Sequence, residues 1–407
     1  MPRHREVKIP QPHAAGTPQS LRRVNAQAVL AAARTTDVAT GTGLMAATGL
    51  TRATVIAVCE DLVRSGWLRE LDAPARDGAS TANAAGKPRK GRPARRFELN
   101  ARAGVVLGVD IGAGTTTAAV ADLRGTVLGR ASAAFRATDI PAEERVSVVD
   151  RACLDALREA GETPEKVLAV TAGIAAPVDR EGAVLAAQHF WTLFDVGLRS
   201  ALHERHGWPV RLENDANLAA LGERWRGTGA GVSDLVVLLA SERLGAGVLE
   251  SGRLLHGRAG GAGEMGFLAL VEGVGSSAGI ASLARTWQAE AGGPTGGGPA
   301  GARRVFADAA AGDAAALEIL DRLAERMARV IAAIASFINP EQVVIGGAVA
   351  DSAGALLPGI SAALPALTAT PPRVTVSTLG DAIVTVGAVR HALDYVEANA
   401  LDLRLVQ

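Results

Sequence analysis

Two segments of the chain repeat one pattern, an apolar strand, a glycine-rich turn and a second apolar strand, about 130 residues apart. The first copy spans residues 105–122 and the second spans residues 234–250. A third apolar strand, residues 342–345, follows a strongly apolar helix predicted over residues 314–339. Alternating strands and helices are typical of an α/β fold. The repeat predicts two related lobes with a cleft between them.

Both turns carry residues that suit a phosphate group. Backbone N–H groups in a Gly/Thr turn can wrap around an anion. A plain β-hairpin explains the same pattern, so the two interpretations stand side by side at this point. The candidate phosphate-turn residues are Asp110, Gly112, Gly114, Thr115, Gly245 and Gly247.

Charge is divided unequally along the chain. The 407 residues contain 42 Lys/Arg and 42 Asp/Glu. Residues 1–100 hold sixteen of the basic and eight of the acidic residues, a net charge of +8, so the rest carries −8. This asymmetry indicates a nucleic-acid-binding module joined to a second part, with a solvated basic tail as the alternative.

Residues 20–70 read as a compact helical module. The first helix places Leu21, Val24, Ala28 and Val29 on one face. A short second helix is predicted over residues 42–47, and Gly49 supplies a tight turn. A third helix begins at the N-cap residue Thr51.

The start of the third helix presents Arg52 and Thr54, and this layout is typical of a helix-turn-helix. In such a motif the second helix of the pair enters the major groove, and its first residues contact base edges. Arg52 can pair with guanine, and Thr54 can offer a hydroxyl or methyl group. An ordinary three-helix bundle remains the alternative.

Two strands predicted at residues 67–71 and 95–99 resemble the strands of a wing. The segment between them is rich in Ala, Gly, Pro and charge. It contains Lys90 and Arg92 on either side of Gly91, a pattern that suits the negative potential of the DNA minor groove. We expect Lys90 and Arg92 to bind DNA there.

These features together resemble the repressor–open-reading-frame–kinase (ROK) family, over about residues 20–395. The family resemblance rests on motifs spread along the whole chain. They are Leu21–Asn25, residues 91–94 with 98–100, Asp110–Gly112, Leu212–Glu223, residues 260–266 and Asn339–Gly347.

The resemblance implies a site for a sugar. In the family the Glu-Asn-Asp-Ala element holds the sugar, and its Asp is the catalytic base in kinase members; here the matching residues are Asn214 and Asp215. Glu264 matches an acidic sugar contact of the family. A carboxylate can hold a sugar hydroxyl or deprotonate it. Asn214 and Asp215 also suit a purely structural role as helix caps.

The chain departs from the family at its zinc motif. Phe267 replaces the family's zinc-binding His, residues 271–282 contain no Cys, and Ser282 replaces a second sugar-contacting Glu. A structural zinc ion needs about four N or S ligands. We therefore expect no zinc and no cofactor. Phe267 is expected to form an apolar wall of the cleft.

The second phosphate turn is also altered. Residues 241–244 replace the family's Gly-Thr-Gly, and Glu242 sets a negative charge where phosphates would lie. Phosphoryl transfer needs positioned donors and cations. From this we expect that the chain is not an enzyme and that its cleft binds a ligand without phosphorylating it.

The sequence and the resemblance together predict an α/β protein. Residues 1–19 are expected to form a disordered tail, residues 20–100 a winged helix-turn-helix, and residues 101–407 a two-lobed effector-binding ROK domain. The latter is expected to be actin-like or hexokinase-like, a ribonuclease H-like fold.

The expected function is that of a DNA-binding transcriptional regulator, a repressor of carbohydrate-related genes controlled by a sugar or sugar derivative. Its expected partners are double-stranded DNA with an inverted-repeat operator and a second copy, as a homodimer or homotetramer. No signal peptide or apolar span is visible, so we expect a cytoplasmic protein without membrane contact. The alternatives are a sugar kinase with an appended DNA-binding domain, and a regulator that has lost sugar binding and responds to a partner protein.

Overall fold

The computed structural model describes residues 18–72, 95–185, 188–293 and 297–405. The chain forms two compact units. Among the described residues, the first comprises residues 18–72, 95–103 and 396–405, and the second comprises residues 104–185, 188–293 and 297–395. The predicted tail lies outside the described residues except for Pro18 and Gln19, which are helical.

Three helices and a small sheet form the first unit. Helix α1 spans Pro18–Arg34, the short strand β1 spans Ala39–Thr40, and α2 spans Gly41–Thr48. Helix α3, Arg52–Arg64, begins after Thr51, whose hydroxyl accepts the N–H of Thr54 at 3.3 Å. Helices α2 and α3 are bent by 110° relative to each other, within the range of a helix-turn-helix.

A wing follows α3. Strands β2 (Leu68–Leu71) and β3 (Arg96–Leu99) pair antiparallel, and the sheet order is β1-β3-β2. Arg95 binds Glu60 of α3 at 2.6 Å and Glu70 of β2 at 2.7 Å, which fixes the wing to the third helix. Three helices and a small antiparallel sheet therefore lie where the winged helix-turn-helix is predicted, and that assignment stays a prediction.

The buried face of α1 differs from the predicted one. Leu21 and Val24 are 57% and 60% exposed, whereas Ala26, Val29 and Leu30 are buried. The buried apolar face of α1 therefore begins about a turn later than predicted. The core of this unit is completed by buried residues of α3 and the wing, which are Val55, Cys59, Leu62, Trp67 and Phe97.

The second unit contains two five-stranded sheets of the same topology. The first consists of β4 (Val105–Ile111), β5 (Thr115–Asp122), β6 (Val127–Ala134), β7 (Val167–Ile174) and β8 (Val210–Asn214). Its order is β6-β5-β4-β7-β8. The first three strands are antiparallel, and β7 and β8 continue the sheet in parallel to β4.

The second sheet repeats this arrangement. It consists of β9 (Leu235–Leu239), β10 (Gly245–Glu250), β11 (Arg253–Leu254), β12 (Gln342–Gly346) and β13 (Arg373–Val376), in the order β11-β10-β9-β12-β13. In both sheets the third strand in the chain lies at one edge and the fifth at the other. The repeated sequence pattern therefore predicted a real duplication, and the predicted α/β fold class is confirmed.

Helices cover the two sheets and join them. They are α4 (Ala142–Ala160), α5 (His189–Thr192), α6 (Leu198–His206), α7 (Asp215–Arg226), α8 (Ile280–Glu290), α9 (Gly298–Ala310), α10 (Ala314–Ile338), α11 (Ala350–Ala353), α12 (Leu357–Leu367) and α13 (Ile383–Asn399). Single 3₁₀ turns form at Pro164–Lys166, Met265–Leu270, Gly354–Leu356 and Gly380–Ala382. Each sheet has its own apolar core.

Helix α7 packs closely against both α13 and β10. A Cβ atom at Gly387 of α13 would lie 1.7 Å from the carbonyl oxygen of Leu218, and one at Gly247 of β10 would lie 2.0 Å from that of Ala216. Only glycine fits at these two positions. The close packing fixes the N-terminus of α7, where the predicted sugar residues lie.

Within the described ranges, no single helix is long and apolar enough to cross a membrane. Helices α2 and α3, which form a bent pair, are long and apolar enough only when they are taken together, and only by length and composition.

Candidate functional site

Asp215 is the first residue of α7 and follows directly on β8. The preceding strand is parallel to β7, so its carboxyl end opens at the edge where the chain enters the helix. The Asp215 carboxylate accepts the N–H of Ala216 at 2.8 Å. The site is thus built where a strand ends and a helix begins.

Asn214 has a structural role as the N-cap of α7. Its Oδ1 atom accepts the N–H groups of Ala216 and Asn217 at 3.0 and 3.1 Å, and its amide donates to the carbonyl of Ala176 at 3.2 Å. Both lone pairs of the side-chain oxygen are used in this way. Asn214 therefore positions Asp215, and its role toward a sugar stays a prediction.

Three carboxyl groups converge around Asp215. Burial, followed by the charges of Asp110 and Glu264, raises the pKa of Asp215 to about 7. Burial also raises the pKa of Asp110, at the end of β4, to about 6, although Arg130 opposes this shift. The cluster joins the first sheet to the segment after β11. It can hold a proton near neutral pH, as a group that accepts hydrogen bonds from sugar hydroxyls or removes their protons would.

Glu264 precedes the 3₁₀ turn Met265–Leu270. Burial raises its pKa, and the nearby Arg243 lowers it. The glycine before it has a positive φ of 88°, and a Cβ there would lie 2.0 Å from the carbonyl oxygen of Ala246. The Gly-Gly-Ala-Gly-Glu run is thus needed to bring Glu264 against β10.

The two predicted phosphate turns occupy equivalent places in the two sheets. Between β4 and β5, Gly112 donates its N–H to the carbonyl of Thr115 at 2.9 Å, and Gly114 accepts from Phe135 at 2.9 Å. Between β9 and β10, Ser241 accepts the N–H of Ala348 at 2.9 Å. Gly245 and Gly247 follow in β10. Their binding of phosphate stays a prediction.

Arg243 lies in the second turn and was missed by the sequence prediction. Its charge lowers the pKa of Glu264, so it reaches the carboxylate cluster. Its guanidinium also lies 5.6 Å from the ring centroid of Phe190. The sequence contained the signal, a basic residue next to Glu242, but only the fold shows that it faces the site.

Glu242 is not an isolated negative charge. Arg285 of α8 donates to both of its carboxylate oxygens, at 2.9 and 2.6 Å. A paired carboxylate repels an anion much less than a free one does. The premise that Glu242 excludes phosphates from this turn is therefore not met.

An arginine holds the segment where the family has its zinc motif. The buried Arg326 of α10 donates to the carbonyls of Val274 and Ser276, at 3.2 and 2.6 Å. Ser277 in turn accepts the N–H of Leu244 at 2.8 Å. The cysteine-free segment is thus ordered by side-chain and backbone hydrogen bonds and packs on the second phosphate turn.

Phe267, which replaces the zinc-binding His of the family and is predicted to form an apolar wall of the cleft, is 44% exposed. Within the four described ranges, no group of three or more His, Cys, Asp or Glu side chains is placed to hold a metal ion. Cys59 and Cys153 are both buried, and burial raises the pKa of each thiol, to about 11 and about 12. The expected absence of zinc stays a prediction.

Two of the predicted DNA-contacting residues, Arg52 and Thr54, lie on α3. Arg52 is exposed in the first turn of α3. Thr54 is partly buried, and its hydroxyl oxygen lies 2.9 Å from that of Thr51, so part of its polar capacity serves the helix cap. Lys90 and Arg92 lie outside the described residues.

Comparison with known proteins identifies relatives of two kinds. The ROK family matches residues 106–394. A glucokinase of Thermotoga maritima is 31% identical over 62% of this chain and 84% of its own length. A glucokinase of Halalkalibacterium halodurans is 35% identical over 40% of this chain and 56% of its own. A xylose repressor of Caldicellulosiruptor bescii is 27% identical over 60% of this chain. The chain spans 58% of that repressor.

Solved structures with the same fold include a regulator and a kinase. A ROK family transcriptional regulator, described as a homologue of the E. coli MLC protein, aligns with a TM-score of 0.70 at 21% identity. The alignment covers 93% of this chain and 99% of that one. A ROK family glucokinase from Streptomyces griseus, in complex with glucose and AMPPNP, aligns with a TM-score of 0.59 at 28% identity over 71% of this chain and 99% of its own.

The prediction that the chain is not an enzyme is contradicted by these comparisons. Relatives named glucokinase match the chain at 31% and 35% identity, and N-acetylmannosamine kinase of Citrobacter koseri matches at 35%. The error has a physical cause, since the Arg285–Glu242 pair and the neighbouring Arg243 remove the electrostatic objection to phosphate.

The duplicated sheets, the motifs around Asp215 and a family match over most of its length lead to one conclusion: the chain belongs to the ROK family.

Proposed function

We propose that the protein is a transcriptional regulator that binds double-stranded DNA and responds to a sugar in the cleft. It is proposed to act as a repressor of carbohydrate-related genes. The observation that carries this proposal is the first unit, in which three helices are followed by an antiparallel strand pair, as a winged helix-turn-helix requires. A family member that only phosphorylates sugar has no use for such a unit.

The sugar is proposed to contact Asp215 and Glu264. These carboxyl groups lie near one another and near Arg243, and burial raises the pKa values of both. Vicinal hydroxyls of a sugar can donate to such groups, which are costly to leave without partners. The relatives named for glucose and xylose support a monosaccharide or a close derivative.

The proposal is tested by selecting duplex DNA that the purified protein retains, and by titrating the complex with a panel of mono- and disaccharides. We expect an inverted-repeat sequence and at least one sugar that changes the affinity for it. Asp215→Ala should bind the same DNA and lose the response to sugar. Failure to retain any DNA, or an Asp215→Ala variant with the full sugar response, would contradict the proposal.

A second candidate function is sugar phosphorylation in the same cleft. It is favoured by Asp215, because a carboxyl with a pKa near 7 is well matched to remove a proton from a hydroxyl at neutral pH. ATP with Mg²⁺ and the sugar panel should then yield ADP at about 1–100 per second, as kinases do. Asp215→Ala should abolish this turnover.

The two candidates are separable by experiment. A sugar that changes DNA affinity while no ADP forms supports a regulator alone. A DNA response that needs a partner protein and no sugar supports the third alternative raised by the sequence, a regulator that has lost sugar binding.

A further inference from the structure

A polar cavity of about 410 Å³ lies beside the edge strand β8. Its walls come from β8, from the turn at residues 179–182, from the end of β11 and from α13. The ionisable residues that line it include Arg180, Arg199, Arg211, Glu213, His256 and His391. Asp110, Asp215 and Glu264 are not among the described residues that line it. The cavity is therefore distinct from the proposed sugar site.

The negative charge of Glu213, which lines this cavity, is compensated by hydrogen bonds from the protein itself. Its carboxylate accepts hydrogen bonds from the N–H of Asn214 at 2.8 Å, from the amide of Asn217 at 2.9 Å and from His256 at 2.9 Å. Burial opposes ionisation of Glu213, but the hydrogen bonds from His256 and Asn217 outweigh it and hold its pKa below the usual range. Glu213 thus has little capacity left for a cationic ligand.

The Nε2 atom of His256 lies 2.9 Å from the carboxylate of Glu213. The hydrogen bond to Glu213 raises the pKa of His256, which favours the imidazolium form. His391 behaves differently, since burial lowers its pKa. Its Nδ1 atom lies 3.1 Å from the hydroxyl of Thr171. The pKa values of the two imidazoles in the cavity wall are therefore shifted in opposite directions.

Three arginines surround these histidines. Arg180 is close enough to lower the pKa of His256, and Arg211 lowers that of His391. Arg199 donates to the carbonyl of Glu181 at 3.0 Å and so holds the turn in place. All three arginines are exposed toward solvent, which leaves their guanidinium groups accessible.

The acidic residues of the turn compensate this charge only in part. Asp179 accepts the N–H groups of Glu181 and Ala183, at 3.0 and 2.8 Å, and so stabilises its own turn. Glu181 is exposed at the rim. The side chains that line the cavity therefore offer a ligand more positive than negative charge.

We propose that this cavity binds a small anionic metabolite that carries a phosphate group, held by Arg180, Arg199 and Arg211. Planar guanidinium groups match the oxygens of a phosphate and bind it through two parallel hydrogen bonds. The volume fits a small organic molecule, as ligand pockets usually occupy about 300–1,000 Å³. The bound anion would lie next to the turn that presents Asp215, since Glu213 accepts the N–H of Asn214.

The test is calorimetric titration of the full-length protein with inorganic pyrophosphate, which contains no sugar, and with citrate as a carboxylate of similar charge. We expect pyrophosphate to bind more tightly than citrate. The double variant Arg180→Gln with Arg211→Gln should lose at least about tenfold in affinity, because each removes a charged donor. Glu181→Gln should bind more tightly than the wild type.

The matched control is Arg151→Gln, which removes an exposed arginine of α4 and should leave the affinity unchanged. Circular dichroism of each variant checks that it is folded. The proposal is overturned if the double variant binds pyrophosphate as well as the wild type, because the anion then lies elsewhere, for example at the phosphate turns. Binding of citrate without pyrophosphate would also overturn it. Neither result depends on DNA or sugar binding.

Discussion

The carboxyl group of Asp215 lies among like charges in a partly buried place. Asp110 and Glu264 both raise its pKa, and the N–H of Ala216 is the donor that favours its ionised form. Like charges in a desolvated cluster disfavour full ionisation. Ionising these carboxyl groups in the folded protein therefore has a cost in stability.

That cost predicts the behaviour of Asp215→Asn. The pKa of Asp215 is raised from 3.8 to about 7 in the folded protein, so the folded state binds more protons than the unfolded state between these values. Wild-type stability should therefore fall as pH rises from about 4 to about 7, while the amide variant escapes this loss. Above pH 7 we expect Asp215→Asn to be more stable by about 1 kcal/mol or more, roughly 2–4 °C in melting temperature.

Thermal unfolding followed by circular dichroism from pH 4 to pH 8.5 measures this difference. The control is Asp139→Asn, an exposed aspartate whose replacement should give the same melting temperature as the wild type at every pH. An Asp215→Asn variant that melts below the wild type at pH 8 would show that the carboxylate is stabilised in the fold.

At the scale of the element, Arg326 organises the segment that lacks the cysteines. Its two donors reach Val274 and Ser276, while its Nη1 atom is buried without a partner among the described residues. A buried charge of this kind is costly, and removing its hydrogen bonds leaves two carbonyl groups without donors. Arg326 thus orders the cysteine-free segment through its two hydrogen bonds.

We expect Arg326→Met to loosen this segment and the turn against it. Amide exchange of Leu244 and Ile280, whose N–H groups bond to Ser277 and Ala240, should accelerate by about tenfold or more, because local opening becomes easier. Hydrogen–deuterium exchange measures it, with the exposed Arg304→Met of α9 as the control. In the wild type, a chelator should change neither exchange nor the melting temperature. A stoichiometric metal in the purified protein would contradict this role for Arg326.

Helix α3 is the element proposed to read DNA. Arg52 lies in its exposed first turn, where a side chain reaches base edges in the major groove. Arg52→Ala should weaken specific binding by about 1–3 kcal/mol and relax one base position. Fluorescence anisotropy with selected and scrambled duplexes measures both effects. Arg151→Ala, far along the chain on α4, serves as the control, and normal binding by Arg52→Ala would argue against this use of α3.

The wing segment gives a separate prediction. Lys90→Ala combined with Arg92→Ala removes two cations proposed to enter the minor groove. Fewer counterions are then released on binding, so the slope of log affinity against log salt should decrease by about two. Titrations at four salt concentrations measure the slope. An unchanged slope would mean that neither residue contacts DNA.

At the scale of the whole molecule, the described part of the first unit contains one helix, α3, that is proposed to read DNA. One such module makes a small interface, whereas twofold pairing doubles it and matches an inverted repeat. We expect a dimer or a dimer of dimers at micromolar concentration, with half-sites separated by whole turns of DNA. Multi-angle light scattering and footprinting measure these. A monomer with an asymmetric footprint would contradict the prediction.

The sequence by itself determined the local elements and the duplication. The strand, glycine and strand pattern predicted β4–β5 and β9–β10, because period and turn residues are encoded locally. Thr51 marked the start of α3 for the same reason. The motif around Asp215 predicted a place for the site, since its residues are neighbours in the chain, and that place stays a prediction.

Only the tertiary structure decided which side chains meet and which charges are free. Leu21 and Val24 are not covered by the part of the chain that the structure describes, which periodicity alone does not reveal. Arg285 neutralises Glu242 across 43 residues of chain, and this contact removed the basis for excluding phosphoryl transfer. Arg326 and His256 also act on segments that are remote in sequence. Charge and hydrogen bonding depend on distance in space, and the chain's order does not record it.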